Sequence, residues 1–151
     1  MTINPAQRVY DWERCYVEPY DVSFLSRDDI RSLVTIAAGI LSIAVPGVRF
    51  VKSAATPCRA DPARWQIEIA DWGRNRVTIL HEMAHLATIR RVAAGEDPHG
   101  PSFVAMAIRL YARFLDLDEA HLKSLAIRSG IKVGEVSSGR TSAGRFMEED
   151  F

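Results

Sequence analysis

The chain is poor in cysteine and lysine, carries no net charge and has no long apolar run. Cys15 and Cys58 are its two cysteines, and they lie far apart. Two thiols make no disulfide framework, and without a C-x-x-C pair there is no cysteine-based zinc site. They read as reduced thiols of a cytoplasmic protein. Lysine occurs at Lys52, Lys123 and Lys132 only, the other basic residues being arginine. Acidic and basic residues balance at 19 each, so nothing global drives the chain toward nucleic acid or an anionic membrane, although a local patch stays open. The longest apolar stretch, Ile30 to Val45, is interrupted by Arg31, Ser32, Thr35, Gly39 and Ser42, which excludes a membrane span there. The N-terminal residues have no apolar core of signal-peptide length, and the expected location is the cytoplasm.

What is present is ordinary for a globular protein: 151 residues, 48% hydrophobic and 25% charged, without an internal repeat. Residues 1–133 read as one domain. Residues 134–151 are Gly/Ser-rich and then acidic, and read as a mobile C-terminal tail. Near the N-terminus, Val9–Val17 reads as a short strand. Ser26 is an N-cap with Asp29 as its capping-box acid, and Leu25 and Ile30 take the hydrophobic-staple positions. Ile30, Leu33, Val34, Ala37, Ile40, Leu41 and Ala44 continue at helical spacing until Pro46-Gly47. Val48–Lys52 and Trp65–Ala70 read as strands, the second by its alternation of Trp65, Ile67 and Ile69 with Gln66 and Glu68. The proline-containing segment between them reads as a loop, and Asp71–Asn75 as a turn.

A second helix is expected from about Arg76 to Ala94, followed by a loop over Gly95–Pro101. Ser102 then caps a third helix that runs to about Asp116. Its apolar faces, Phe103/Ala107/Leu110/Phe114 and Val104/Ile108/Tyr111/Leu115, predict burial on both sides. A fourth helix runs from Asp118 to about Ser129 and ends at Gly130.

The chemistry lies in His81-Glu82-Met83-Ala84-His85, an H-E-x-x-H motif on the second helix. Residues four apart on a helix differ by about 40° in azimuth and about 6 Å in height, so two imidazoles can meet one tetrahedral metal ion. Glu82 lies about 100° from His81, where a carboxylate reaches a metal-bound water without binding the metal. The larger apolar residues Ile79, Leu80, Met83 and Leu86 fall on the opposite side, leaving a separate histidine face. Catalytic zinc sites take three protein ligands and keep a fourth position open. His99 is the choice for the third ligand, in a loop shaped by Pro98 and Gly100, with Asp97 and then Glu96 as substitutes. His121 reads as a surface histidine, Tyr111 as core, and Asp71, Trp72 and Arg74 as parts of a structural turn. No residue announces itself as a transition-state donor.

TILHEMAHLA followed by HGPSF resembles the zincin metallopeptidases, most closely the SprT-like branch, where a third histidine stands in an H-G-x-x-F/W context at the start of the next helix. It is similar also to a group of small metallohydrolase-like proteins of actinobacteria and their phages. The resemblance covers Gln66 to Leu115. It implies an α+β fold: a compact zincin core, with a small sheet packed on the H-E-x-x-H helix, an edge strand supplied by Trp65–Ala70, and additional helices. It also implies one Zn2+ per chain held by His81, His85 and His99. Glu82 would act as general base in hydrolysis of a peptide substrate paired with that edge strand. The chain departs from SprT-like crosslink proteases in lacking a cysteine-rich ribbon and basic DNA-binding segments. It departs from metzincins in having Arg91 where their third histidine stands. Two further readings stay open: a zinc hydrolase of a small amide or non-peptide substrate, and a non-catalytic domain in which zinc staples the helix to the His99 loop.

Overall fold

A computed structural model describes residues 4–52 and 56–135. The fold is α+β, with six helices and a three-stranded mixed sheet among these residues. Helix α1 (Pro5–Tyr16) comes first, where a strand over Val9–Val17 is expected from the sequence. The helix forms because the Asn4 side chain accepts the Gln7 N–H at 2.9 Å and Pro5 occupies the first helical position. Val9, Trp12 and Glu13 then share one buried face. The spacing is helical, and the neighbouring tyrosines only imitate strand composition.

Helix α2 (Arg27–Leu41) has the expected Ser26 cap, whose hydroxyl accepts the Asp29 N–H at 3.1 Å. It ends before Pro46-Gly47, at Ser42 in the left-handed region (φ 58°). Strands β1 (Gly47–Val51), β2 (Arg59–Asp61) and β3 (Gln66–Ala70) follow, in the spatial order β1-β3-β2. β3 pairs parallel with β1 and antiparallel with β2. It is therefore the central strand, and the expected edge role of Trp65–Ala70 passes to β2, which lies within the segment read as a loop. The burial agrees: Ile67, Glu68, Ile69 and Ala70 of β3 are all buried, whereas β1 has no buried residue and β2 has Asp61 alone. Glu68 is covered by two guanidinium groups, Arg59 at 2.8 Å and Arg49 at 3.2 Å. Their charges and hydrogen bonds hold its carboxyl below the usual range.

The expected Arg76–Ala94 helix is divided into α3 (Arg76–Ala87) and α4 (Ile89–Ala93). The break is at Thr88, whose hydroxyl donates back to the Ala84 carbonyl at 2.9 Å, a bond that competes with the backbone ladder. Helices α5 (Pro101–Leu115) and α6 (Glu119–Arg128) complete the order. α3 packs against α2, α5 and the β2–β3 side of the sheet, so it lies at the centre of the molecule. Ile79, Leu80, Met83 and Leu86 fill the core with Ile67, Ile69, Phe103 and Leu110. Full burial of each such side chain contributes about 1.5–3 kcal/mol. α5 is buried on both apolar faces as expected. The Gly134 N–H donates to the Pro101 carbonyl at 2.9 Å, holding the segment after α6 against the start of α5. Of the tail expected over 134–151, residues 136–151 lie outside the described part.

Candidate metal centre

The H-E-x-x-H residues sit on α3 because both ends and the back of that helix are fixed. At its N-terminus the Asn75 side chain accepts the Thr78 N–H at 2.9 Å, and Asp21 accepts the Val77 N–H at 2.8 Å. Behind it the apolar face is fully buried. His81 and Glu82 are themselves buried, at 7% and 8% exposure, and His85 is half-buried. The Nε2 atoms of His81 and His85 face each other at 3.2 Å.

His99 reaches the same point from the loop between α4 and α5. The Asp97 carboxylate accepts the His99 N–H at 2.8 Å, and the Gly100 N–H returns to the Asp97 carbonyl at 2.8 Å. Glu96 accepts from the Ser102 N–H at 2.7 Å and from its hydroxyl at 3.0 Å, so its carboxylate stabilises the first turn of α5. The N-cap is Gly100 and not Ser102, as expected from the sequence, because the chain enters the helix through Pro101 at the first helical position. Gly100 is required by close approach: a Cβ there would meet the Asp97 carbonyl oxygen at 2.9 Å and Glu96 Cγ at 3.0 Å. Asp97 and Glu96, the alternative ligands, are thus engaged in shaping the loop that delivers His99.

One ligand atom from each of His81, His85 and His99 lies within 4.8 Å of the others. Phe103 forms the floor, stacked on the His85 ring at 4.4 Å and in contact with the other two rings at 4.9 and 5.1 Å. Tetrahedral coordination at about 2.0–2.1 Å places two nitrogens about 3.3–3.4 Å apart, close to the His81–His85 separation. Two nitrogen lone pairs that close repel, so the gap calls for a proton or a cation. The Nε2 of His99 is buried without a hydrogen-bond partner, an arrangement that costs about 1–3 kcal/mol unless something binds it. The donor set therefore fits a metal ion. Burial, with the neighbouring His81 and His99, holds the His85 pKa down at about 3, keeping its ring neutral and its lone pair available.

Two residues escape a reading of the sequence, and both lie on α1. The Glu13 carboxylate, buried at 3% exposure, accepts a 2.7 Å hydrogen bond from His81 Nδ1 and one from the Tyr111 hydroxyl. A carboxylate acceptor at Nδ1 puts the proton there and turns the Nε2 lone pair of His81 toward His85 and His99. Burial disfavours the charged ring, but the Glu13 charge and hydrogen bond outweigh it and raise the His81 pKa. Tyr10, one turn before Glu13, stacks its ring on His81 (5.8 Å, 22°) and meets His99 edge-on at 5.2 Å. The signal for both residues was the Asn-Pro helix start. On that helix Glu13 interrupts an apolar face, as a carboxylate with an internal partner does.

His81, His85 and Glu82 open into a cleft of about 350 Å3, also lined by Tyr10, by Arg59 and Ala60 of β2, and by Ile89, Val92 and Pro98. Burial raises the Glu82 pKa to about 7, against the opposing effects of His81 and of the Ala60 N–H on β2. At neutral pH it can take up or release a proton. His121 is exposed on α6, and Tyr111 is core, bonded to Glu13. Asp71–Gly73 form a 3-10 turn, and Arg74 donates to the Leu25 carbonyl at 3.0 Å, so this segment is structural. Among the described residues no helix is long and apolar enough to cross a membrane. Comparison with models of protein families, with curated proteins and with solved structures finds no match for this chain.

Proposed function

We propose that the protein is a zinc-dependent hydrolase of amide bonds, with peptide bonds the first substrate class to test. The observation that carries the reading is the meeting of three imidazoles, one with an orphaned buried nitrogen, beside the buried Glu82 carboxylate. Three imidazoles suit zinc, copper, iron or nickel, and an adjacent general base fits zinc hydrolysis best. A bound zinc ion would polarise the substrate carbonyl and acidify a water molecule. Glu82 takes a proton from the attacking water and passes it to the leaving nitrogen. His81, His85 and His99 would hold the ion, and Glu13 holds His81. The His99 loop, set by Glu96, Asp97 and Gly100, closes the ligand set.

A smaller amide substrate is a second reading, favoured by the form of the edge strand. β2 is three residues long and runs into Pro62, which has no N–H for a ladder, so it offers an extended peptide little backbone to pair with. A purely structural zinc site is closed by four protein ligands. The group found among the described residues has three.

The deciding experiment combines metal analysis with Glu82→Gln. Protein purified without an affinity tag should contain one zinc per chain, and the variant should keep that zinc. Hydrolysis of a pool of N-acyl dipeptide amides should fall by at least about 10²-fold in the variant, the lower bound of a general base's contribution. Wild-type protein loaded with zinc that cleaves nothing, or a variant as active as wild type, refutes the reading.

A further inference from the structure

We propose that the Tyr10 hydroxyl donates the hydrogen bond that stabilises the oxyanion formed on the substrate at this site. The inference rests on the hydrolase reading and adds the transition-state donor that reading lacks. Polar side chains other than the histidines and Glu82 are scarce in the cleft lining: Tyr10, Cys58 and Arg59. Arg59 is turned away, its Nε on Glu68 at 2.8 Å and its Nη2 near Asp61 at 3.7 Å. Cys58 accepts the Ala70 N–H at 3.2 Å, and a thiol is a weak donor. Tyr10 remains. Its ring is held by His81 and His99, and among the described residues its hydroxyl has no hydrogen-bond partner.

The position is built rather than incidental. A tyrosine at 44% exposure would ordinarily turn with the solvent. Here α1 is fixed one turn further on by Glu13, bonded to both His81 and Tyr111. The helix that orients the first imidazole therefore also sets the phenol beside it. A phenol remains protonated at neutral pH, with a free pKa of ~10, and donates without reorganisation when charge appears.

The water oxygen bonds to the carbonyl carbon, the π pair moves onto the carbonyl oxygen, and Glu82 takes the water proton. Tyr10 donates a hydrogen bond to that oxygen and keeps its own proton. The carbonyl then re-forms, the C–N bond breaks with its electron pair on nitrogen, and Glu82 returns the proton to nitrogen.

Tyr10→Phe removes the hydroxyl and keeps the ring. The probes are a phosphonamidate analogue of an N-acyl leucyl dipeptide, which mimics the tetrahedral state, and its carboxamide parent. Both are titrated calorimetrically into the zinc-loaded full chain. Wild type should bind the phosphonamidate more tightly than the parent. The variant should lose about 10²–10³-fold for the phosphonamidate alone, the size expected for one oxyanion donor. Zinc affinity and melting temperature should not change. A variant that keeps the wild-type preference overturns the role of Tyr10 and leaves the hydrolase reading standing. A variant that weakens both probes equally, or loses zinc, makes Tyr10 a support for His81 and also overturns the proposal. Wild type that shows no preference for the tetrahedral probe overturns the hydrolase reading, and this inference with it.

Discussion

Removing the Glu13 charge should weaken metal binding by about 5–30-fold although Glu13 cannot touch the ion. The carboxylate spends one oxygen on two donors, His81 Nδ1 at 2.7 Å and the Tyr111 hydroxyl. Glu13→Gln keeps the shape and one acceptor oxygen but removes the charge. A hydrogen bond to a charged group is worth about 1.5–3 kcal/mol, against about 0.5–1.5 for a neutral one. The difference of about 1–2 kcal/mol falls where it affects the basicity and aim of the His81 ring. It corresponds to a loss of about 5–30-fold, which overlaps the lower part of the roughly 10–100-fold range for changing the outer partner of a metal-bound histidine. Glu13→Ala should cost more, because it also leaves two buried donors unpaired at about 1–3 kcal/mol each. Zinc competition against a chromophoric chelator at fixed pH measures the affinity, and thermal melting of the metal-free protein separates folding from binding. Wild-type zinc affinity in a folded Glu13→Gln protein would refute the coupling and reduce Glu13 to a core hydrogen bond.

The third ligand gives a sharper contrast. His99→Ala should lower zinc affinity well beyond the Glu13→Gln effect. Asp97→Ala and Glu96→Ala should act more weakly, through the loop that they hold; the reverse order in zinc titrations would return the ligand role to a carboxylate. Gly100→Ala should also weaken zinc binding, since its Cβ would meet the Asp97 carbonyl at 2.9 Å; unchanged affinity and melting would show that the loop yields. Glu82 supplies a pH test in metal-free protein. Its folded pKa, raised to about 7 from 4.5, means that ionisation is harder in the folded state, so this residue's contribution declines as pH rises from 4.5 through 7. Glu82→Gln should therefore stabilise the metal-free protein at pH 8 by up to about 3 kcal/mol, and by nothing at pH 4. Melting curves that show the same difference at both pH values would contradict the burial argument.

The parts that could be read from the sequence are those whose physics is local. The Ser26 cap, the apolar periodicity of α2 and α5, the start of α6 at Asp118 and the Gly130 stop (φ 81°) depend on a few neighbouring residues, and the structure has them where expected. The spacing of His81, Glu82 and His85 is set by helix geometry alone. β1 pairs with β3 about twenty residues further on, while β2 joins β3 in a short hairpin with Asp61 opposite Gln66, and alternation within Trp65–Ala70 could not tell a centre from an edge. The break at Thr88 turns on one side-chain bond that competes with a backbone bond, and helical periodicity cannot see it.

α1 carries the most consequential neighbours of the histidines, and the strand-like composition of Val9–Val17 conceals them. A strand over Val9–Val17 would put Tyr10 and Glu13 on opposite faces. A helix puts them about 60° apart, one turn from each other. Only the helix lets one residue accept from His81 while the other packs on its ring. The buried Glu13 is 68 residues from His81 and 98 from Tyr111, so no local pattern links the three. What the sequence does offer is a chemical inconsistency: a carboxylate on an apolar helix face, which is costly to bury unless something inside donates to it. In a chain that also carries H-E-x-x-H, the donor to look for first is the back nitrogen of a ligand histidine. The same test applies to any helix that precedes such a motif.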